Sequence, residues 1–303
     1  MISSVNDERP RAPARDPLAR MAPPVFVMIW ATGFIVARLV APDAEPLTFL
    51  SVRYGLVIAV LALAAFAVGA AWPRTLAGWR DGLVAGMLLH GAYVGGVFWA
   101  VAHGLPAGIA ALVAGLQPLI TAVLVIPLLG ERVPRRRWLG ILVGFSGALL
   151  VILPRLGAGT GAAIPLVPLG IALLGVVGMT LGTIWQKRTA GAVDLRTNTV
   201  VQYCGALAAT LPVALLFEEG RIAYTIPVVV GLAWAVFGLS IGAISLLLVL
   251  IRRGAVAGVA SLLFLVPPCS AVMAYVLFGE TLAPVQMLGM AIAAAGVAVA
   301  SRG

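Results

Sequence analysis

The sequence predicts an all-α integral membrane protein, with ten transmembrane helices in two inverted five-helix repeats. Three observations carry this. Only 10% of the 303 residues are charged and 62% are hydrophobic, whereas a soluble domain carries about 25% charged residues. The apolar residues run in blocks of the roughly 20 needed to cross a bilayer. The basic residues alternate in density from one loop to the next, and one constant spacing relates landmarks in the first half to landmarks in the second.

The expected spans are 22–40, 47–71, 80–103, 106–128, 135–153, 165–188, 197–217, 226–251, 256–278 and 283–301. Clusters of Pro, Gly or charge punctuate the gaps, among them "APDAEP", "WPRTLAGWRD", "GERVPRRR", "KRTAGAVDLR", "FEEGRIAYT" and "GETLAP". "HGLP" at 103–106 reads either as a turn or as a kink. Residues 1–21, with Arg9, Arg11, Arg15, Arg20 and three prolines, read as a disordered cytoplasmic tail rather than a signal peptide. The two repeats then occupy 22–153 and 165–301.

A net charge of +9 would suit nucleic acid in a soluble chain. Here the charges lie in loops between spans, so no nucleic acid partner is expected. Short cytoplasmic loops collect Lys and Arg. With the N-terminus inside, sixteen of the twenty basic residues fall in cytoplasmic segments, Arg38, Arg155 and Arg221 fall outside, and Arg53 lies within a span. Both termini are therefore expected in the cytoplasm. Cys204 and Cys269 sit inside apolar spans and read as small packing residues, with no disulfide, metal site or cofactor implied.

Gly130 and Gly279 stand 149 residues apart, as do Glu131 and Glu280, Pro118 and Pro267, Gly140 and Gly289, Gly33 and Gly182, and Tyr54 and Tyr203. A shared offset across five spans marks an internal duplication. Five is odd, so the second copy enters the membrane from the opposite side. That explains why "GERVPRRR" keeps its arginines and its partner "GETLAPVQ" has none. Inverted repeats are an architecture of secondary transporters, with substrate bound near the midplane between them.

The stretches "WATGFIVAR" (30–38), "FLSVRYGLVIAVL" (49–61) and 98–151, with Pro118, Leu129-Gly130-Glu131, Leu139-Gly140 and Gly147, resemble the EamA-type branch of the drug/metabolite transporter superfamily. The resemblance covers nearly the whole chain after residue 22. It implies helices 1–4 and 6–9 around a central cavity, with 5 and 10 packed outside. Within the family, the chain is similar to bacterial exporters of aromatic and hydrophobic amino acids.

Polar groups inside spans are costly and mark functional sites. Arg53 either pairs with Asp43 or Glu45 as a structural group, or faces the cavity and meets a carboxylate. His90 and Tyr93, three residues apart on one helix face, are candidates for the cavity wall, with Trp99, Gln117, Trp30, Trp185 and Tyr203. Trp72, Trp79 and Trp138 read as interfacial aromatics. Glu131 and Glu280 read as structural groups at the starts of helices 5 and 10. No span carries a mid-membrane carboxylate, which disfavours proton-exchanging multidrug antiport. A single intramembrane arginine disfavours sugar-phosphate carriage. No His-Glu-x-x-His motif and no paired intramembrane aspartates appear, so the chain does not read as an enzyme.

The expected function is facilitative export of amino acids by alternating access in the cell inner membrane. Export of other amphiphilic metabolites or drugs, such as purines and cationic compounds, and a passive channel are the alternatives. The expected partners are a small-molecule substrate and membrane lipids, and the expected state is a monomer.

Overall fold

The computed structural model describes residues 17–129, 134–152, 164–189, 194–243, 246, 265–281 and 283–301. Among the described residues, ten helices follow one another: α1 (Pro17–Val40), α2 (Pro46–Ala67), α3 (Leu76–Ala102), α4 (Ala107–Gly115 continued by Gln117–Leu129), α5 (Arg135–Ile152), α6 (Leu166–Thr189), α7 (Leu195–Phe217), α8 (Ile226–Ala243), α9 (Val266–Phe278) and α10 (Pro284–Ser301). The remaining pairing is one isolated antiparallel bridge, Ala44 to Ile222.

Local chemistry sets several boundaries. Pro46 opens α2 directly after extended Glu45, a position where the missing N–H costs nothing. The Thr75 hydroxyl accepts from the Gly78 N–H to start α3, and Asp194 caps α7. α9 stops at Gly279, whose φ of 67° is the left-handed conformation that glycine adopts without strain.

One expectation is corrected and one open reading is resolved. α1 is already helical at Pro17, so residues 17–21 are not part of a disordered tail; proline is compatible with a first helical turn. The "HGLP" segment is a turn, because Gly104 takes φ 94° and the Gly104 and Leu105 N–H groups return to the Val101 and Ala100 carbonyls. Residues 1–16, Glu131, Arg252 and Arg253 lie outside the described residues.

The two repeats share an uncommon feature. α3 is wound with i→i+5 hydrogen bonds over Met87–Ala92, and α8 over Trp234–Ala243. The 149-residue offset maps 87–92 onto 236–241, inside the second stretch. Such winding is rare and concentrates at functional sites. Tyr54 and Tyr203, also equivalents, meet at the centre with ring centroids 5.7 Å apart.

Glycines set the closest helix approaches. A Cβ on Gly147 of α5 would overlap the Ala293 backbone of α10, and one on its equivalent Gly296 would overlap Gly144. This pair packs to one side and contributes nothing to the central cavity described below. Between α3 and α7, a Cβ on Gly86 would overlap the Gln202 carbonyl, and one on Gly205 the Leu83 carbonyl.

Candidate functional site

A cavity of about 100 Å³ lies between the repeats. α1 contributes Trp30, Gly33 and Phe34, α2 contributes Arg53, and α3 contributes His90, Tyr93, Val94, Val97 and Phe98. From the second repeat come Tyr203 of α7 and Leu239 of α8. Positions 90, 93, 94 and 97 follow the i, i+3, i+4, i+7 pattern of one helix face. The altered winding of α3 is met by a partner from α2: the Tyr54 hydroxyl donates to the His90 carbonyl at 2.9 Å. The His90 ring stacks on Tyr203, with centroids 4.7 Å apart and planes 13° from parallel. Leu239 is the repeat equivalent of His90, so the same position reaches the cavity from both halves.

Arg53 is the charged group among the described residues of this wall. It is only 7% exposed. One Nη donates to the Ser240 hydroxyl at 3.0 Å, and that hydroxyl donates to the Ala235 carbonyl at 3.0 Å. The Tyr203 hydroxyl also interacts with Arg53 and Ser240. The guanidinium carbon lies 5.9 Å from the centre of the Tyr54 ring. The Nε is buried without a partner.

Asp43 and Glu45 are engaged elsewhere. Asp43 accepts from the Thr225 hydroxyl at 2.8 Å, and Glu45 accepts the N–H groups of Glu219 and Arg221. The Arg221 N–H holds the Glu45 carboxyl below its usual range. The pairing of Arg53 with Asp43 or Glu45 is corrected: among the described residues no carboxylate pairs with it, and it lines the cavity. A buried cation without a counter-charge costs several kcal/mol, offset here in part by the bond to Ser240 and the Tyr54 ring.

Four of the seven candidate residues are thus brought together: Trp30, His90, Tyr93 and Tyr203. The other three lie outside this cavity. Trp99 stacks on His103 at 3.7 Å in a separate cleft beside Gly95 and Phe217; six residues past Tyr93, it has rotated off the cavity face. The Gln117 amide donates to Thr183 of α6 at 3.3 Å. Trp185 lies beneath the Arg80 guanidinium, 5.9 Å away. The residues that sequence reasoning omitted are Gly33, Phe34, Val94, Val97, Phe98 and Leu239. The i+3/i+4 stripe from His90 marks two of them and the 149-residue offset marks Leu239.

One end of the bundle is zipped across the two repeats. The Glu218 carboxylate accepts the Leu47 and Thr48 N–H groups at 3.0 and 2.7 Å and the Thr48 hydroxyl at 2.7 Å, so a second-repeat residue caps first-repeat α2. Backbone bonds Glu45 N–H to Arg221 O and Ala223 N–H to Asp43 O join the same loops. Glu280 lies 3.4 Å from Arg38 and accepts the Ala107 N–H at the start of α4. It is a structural group at the start of α4.

Inverted helical repeats enclosing an aromatic, mostly apolar cavity define a multi-pass membrane transporter. The chain belongs to the EamA-like transporter family, whose model matches residues 25–153 and 167–302, one copy per repeat. The uncharacterized transporter YvbV of Bacillus subtilis is 25% identical over 85% of this chain and 83% of its own length. A probable amino-acid metabolite efflux pump of Salmonella typhimurium is 26% identical, over 90% and 91%. The uncharacterized inner membrane transporter YedA of Escherichia coli K12 is 26% identical, over 91% and 88%. A solved crystal structure shares the fold with a TM-score of 0.63 and 21% identity, covering 93% of this chain and 96% of that one. The family consists of transporters, and this chain is a transporter and not an enzyme.

Proposed function

We propose that the protein exports amino acids, favouring aromatic and other hydrophobic ones, across the cell inner membrane by alternating access, down the substrate gradient. The observation that carries this is the wall of the central cavity. Trp30, Phe34, Tyr93, Phe98 and Tyr203 present ring surface, and Arg53, held by Ser240 behind the wall, adds a charged group. Apolar walls accept a hydrophobic side chain, and a few placed polar groups orient the rest. The Salmonella relative is named as an amino-acid metabolite efflux pump, and the E. coli relative as an inner membrane transporter.

With both termini cytoplasmic, the zipped end faces outward. On the inner half, Gln117 and Thr183 form an exposed polar contact. Their repeat equivalents on the outer half, Val266 and Phe34, are both buried. That difference supports an inward-facing resting state with the outer path closed. Among the described residues the cavity wall holds one imidazole, His90, and no carboxylate, so an imposed pH gradient should drive little accumulation.

Uptake into proteoliposomes of the twenty amino acids, nucleosides and cationic drugs, with and without a pH gradient, tests the proposal. Aromatic and branched amino acids should enter, and Tyr93→Ala should abolish their entry without loss of folded protein. A response to nucleosides or drugs alone would refute the amino-acid assignment. Strong pH-driven accumulation that survives His90→Ala would refute the facilitative mode.

A further inference from the structure

We propose that Arg53 is the anchor for a substrate carboxylate and that the α-ammonium group is dispensable, so that aromatic monocarboxylates without an amino group are substrates of the same site. This rests on the central cavity being the transport site.

The charge inventory of the cavity leads there. Arg53 is buried in the wall, one Nη is held by Ser240, and Nε is unsatisfied. A guanidinium has five N–H donors and no acceptor, so an incoming anion meets donors already oriented. Ser240 is fixed by the Ala235 carbonyl, which leaves the arginine in one geometry before the ligand arrives. Guanidinium and carboxylate form charge-assisted, commonly bidentate hydrogen bonds.

The opposite charge has no such provision. Among the described residues the lining has no Asp or Glu, and the outer-loop acids Asp43, Glu45 and Glu218 are occupied by backbone and hydroxyl donors. An ammonium entering the cavity would find ring faces, His90 and the positive field of Arg53. A monoanion neutralises the site, whereas a zwitterion leaves its net charge at +1. The aromatic rings of His90, Tyr203 and Tyr93 beside Arg53 serve a flat hydrophobic tail equally well in either case.

Three ligands sharing a phenylethyl core separate the contributions: phenylalanine, 3-phenylpropionate (no ammonium) and phenethylamine (no carboxylate). Affinities would be measured on the purified full-length protein by calorimetry or thermal shift, and transport by competition in proteoliposomes. The expected result is that 3-phenylpropionate binds at least as tightly as phenylalanine. Phenethylamine should bind roughly tenfold or more weakly, the loss expected for a charge-assisted contact. Arg53→Gln should remove the preference for the acid, and Arg53→Lys should retain part of it. The ligand series on the unaltered protein decides the matter even if Arg53→Gln does not fold. Phenylalanine binding without 3-phenylpropionate binding, or phenethylamine binding best, overturns the anchor while leaving amino-acid transport standing. Binding of 3-phenylpropionate alone supports the anchor and overturns the amino-acid assignment. Failure of all three to bind overturns both.

Discussion

Glu218→Ala should open the outer end of the transporter. Glu218 caps α2 across the repeat boundary through three hydrogen bonds of 3.0, 2.7 and 2.7 Å. Hydrogen bonds to a charged group contribute about 1.5–3 kcal/mol each, but this carboxylate is only part-buried and water replaces much of the loss. Removing a helix N-cap costs about 0.5–2 kcal/mol; with three donors released, about 2 kcal/mol is the appropriate figure. At 1.4 kcal/mol per factor of ten, the closed outer state loses roughly 30-fold in weight, since the contact exists only when the loops are joined. The assay is labelling of a cavity cysteine, Val94→Cys, by an impermeant maleimide applied outside, in a Cys204→Ser, Cys269→Ser background. The labelling rate should rise roughly 10- to 30-fold. Glu219→Ala is the control: that side chain is 72% exposed and its carboxylate meets Arg221 at 3.4 Å, a surface pair of little consequence. Equal rates in the parent and in Glu218→Ala, or equal increases in both variants, would refute the reasoning.

Other outcomes follow from the same geometry. Arg136→Cys should label only from the cytoplasm and Thr281→Cys only from outside; labelling of both from one face would overturn the inverted repeat. Gly205→Ala, whose methyl would overlap the Leu83 carbonyl, should destabilise by about 1–3 kcal/mol. Gly55→Ala, with no neighbour within 4 Å, should be neutral or stabilise by up to ~1 kcal/mol; matching shifts in melting temperature would contradict the packing. The Asp194 carboxyl is held at about 2 by the Arg196 guanidinium, through contacts of 3.0 and 2.7 Å, and by the Arg196 N–H. Its unfolded value is about 3.9, so its contribution is complete above about pH 4 and disappears as pH falls through about 2. The melting-temperature difference between parent and Asp194→Ala should therefore be constant above pH 4 and shrink below it; a difference independent of pH would count against the pairing.

The fold was legible because the bilayer imposes long apolar blocks and because a duplicated chain keeps its landmarks in register. Tyr54 and Tyr203, paired on paper by their offset, meet at the centre of the molecule. The site was legible only in part. His90 and Tyr93 share a helix face in any regular winding, and both reach the cavity. Trp99 does not, because six residues are not two full turns. Gln117 and Trp185 were singled out by residue type, which carries no information on depth along the bundle axis; their contacts are with Thr183 and Arg80. Arg53 had two readings because Asp43 and Glu45 are near in sequence. Only the joining of the 41–46 and 218–225 loops, a long-range contact, shows that those acids are engaged elsewhere. The i→i+5 winding of α3 and α8 has no signature in the residues, since Met87–Ala92 is an ordinary apolar helix in composition.

Solute counterflow tests the central claim most directly. Proteoliposomes preloaded with unlabelled phenylalanine and diluted into a trace of labelled phenylalanine should show transient accumulation of label above equilibrium. Tyr93→Ala proteoliposomes, with the cavity wall altered, should show none. A monotonic approach to equilibrium without overshoot in the parent protein would contradict alternating access through this cavity and indicate a passive pore.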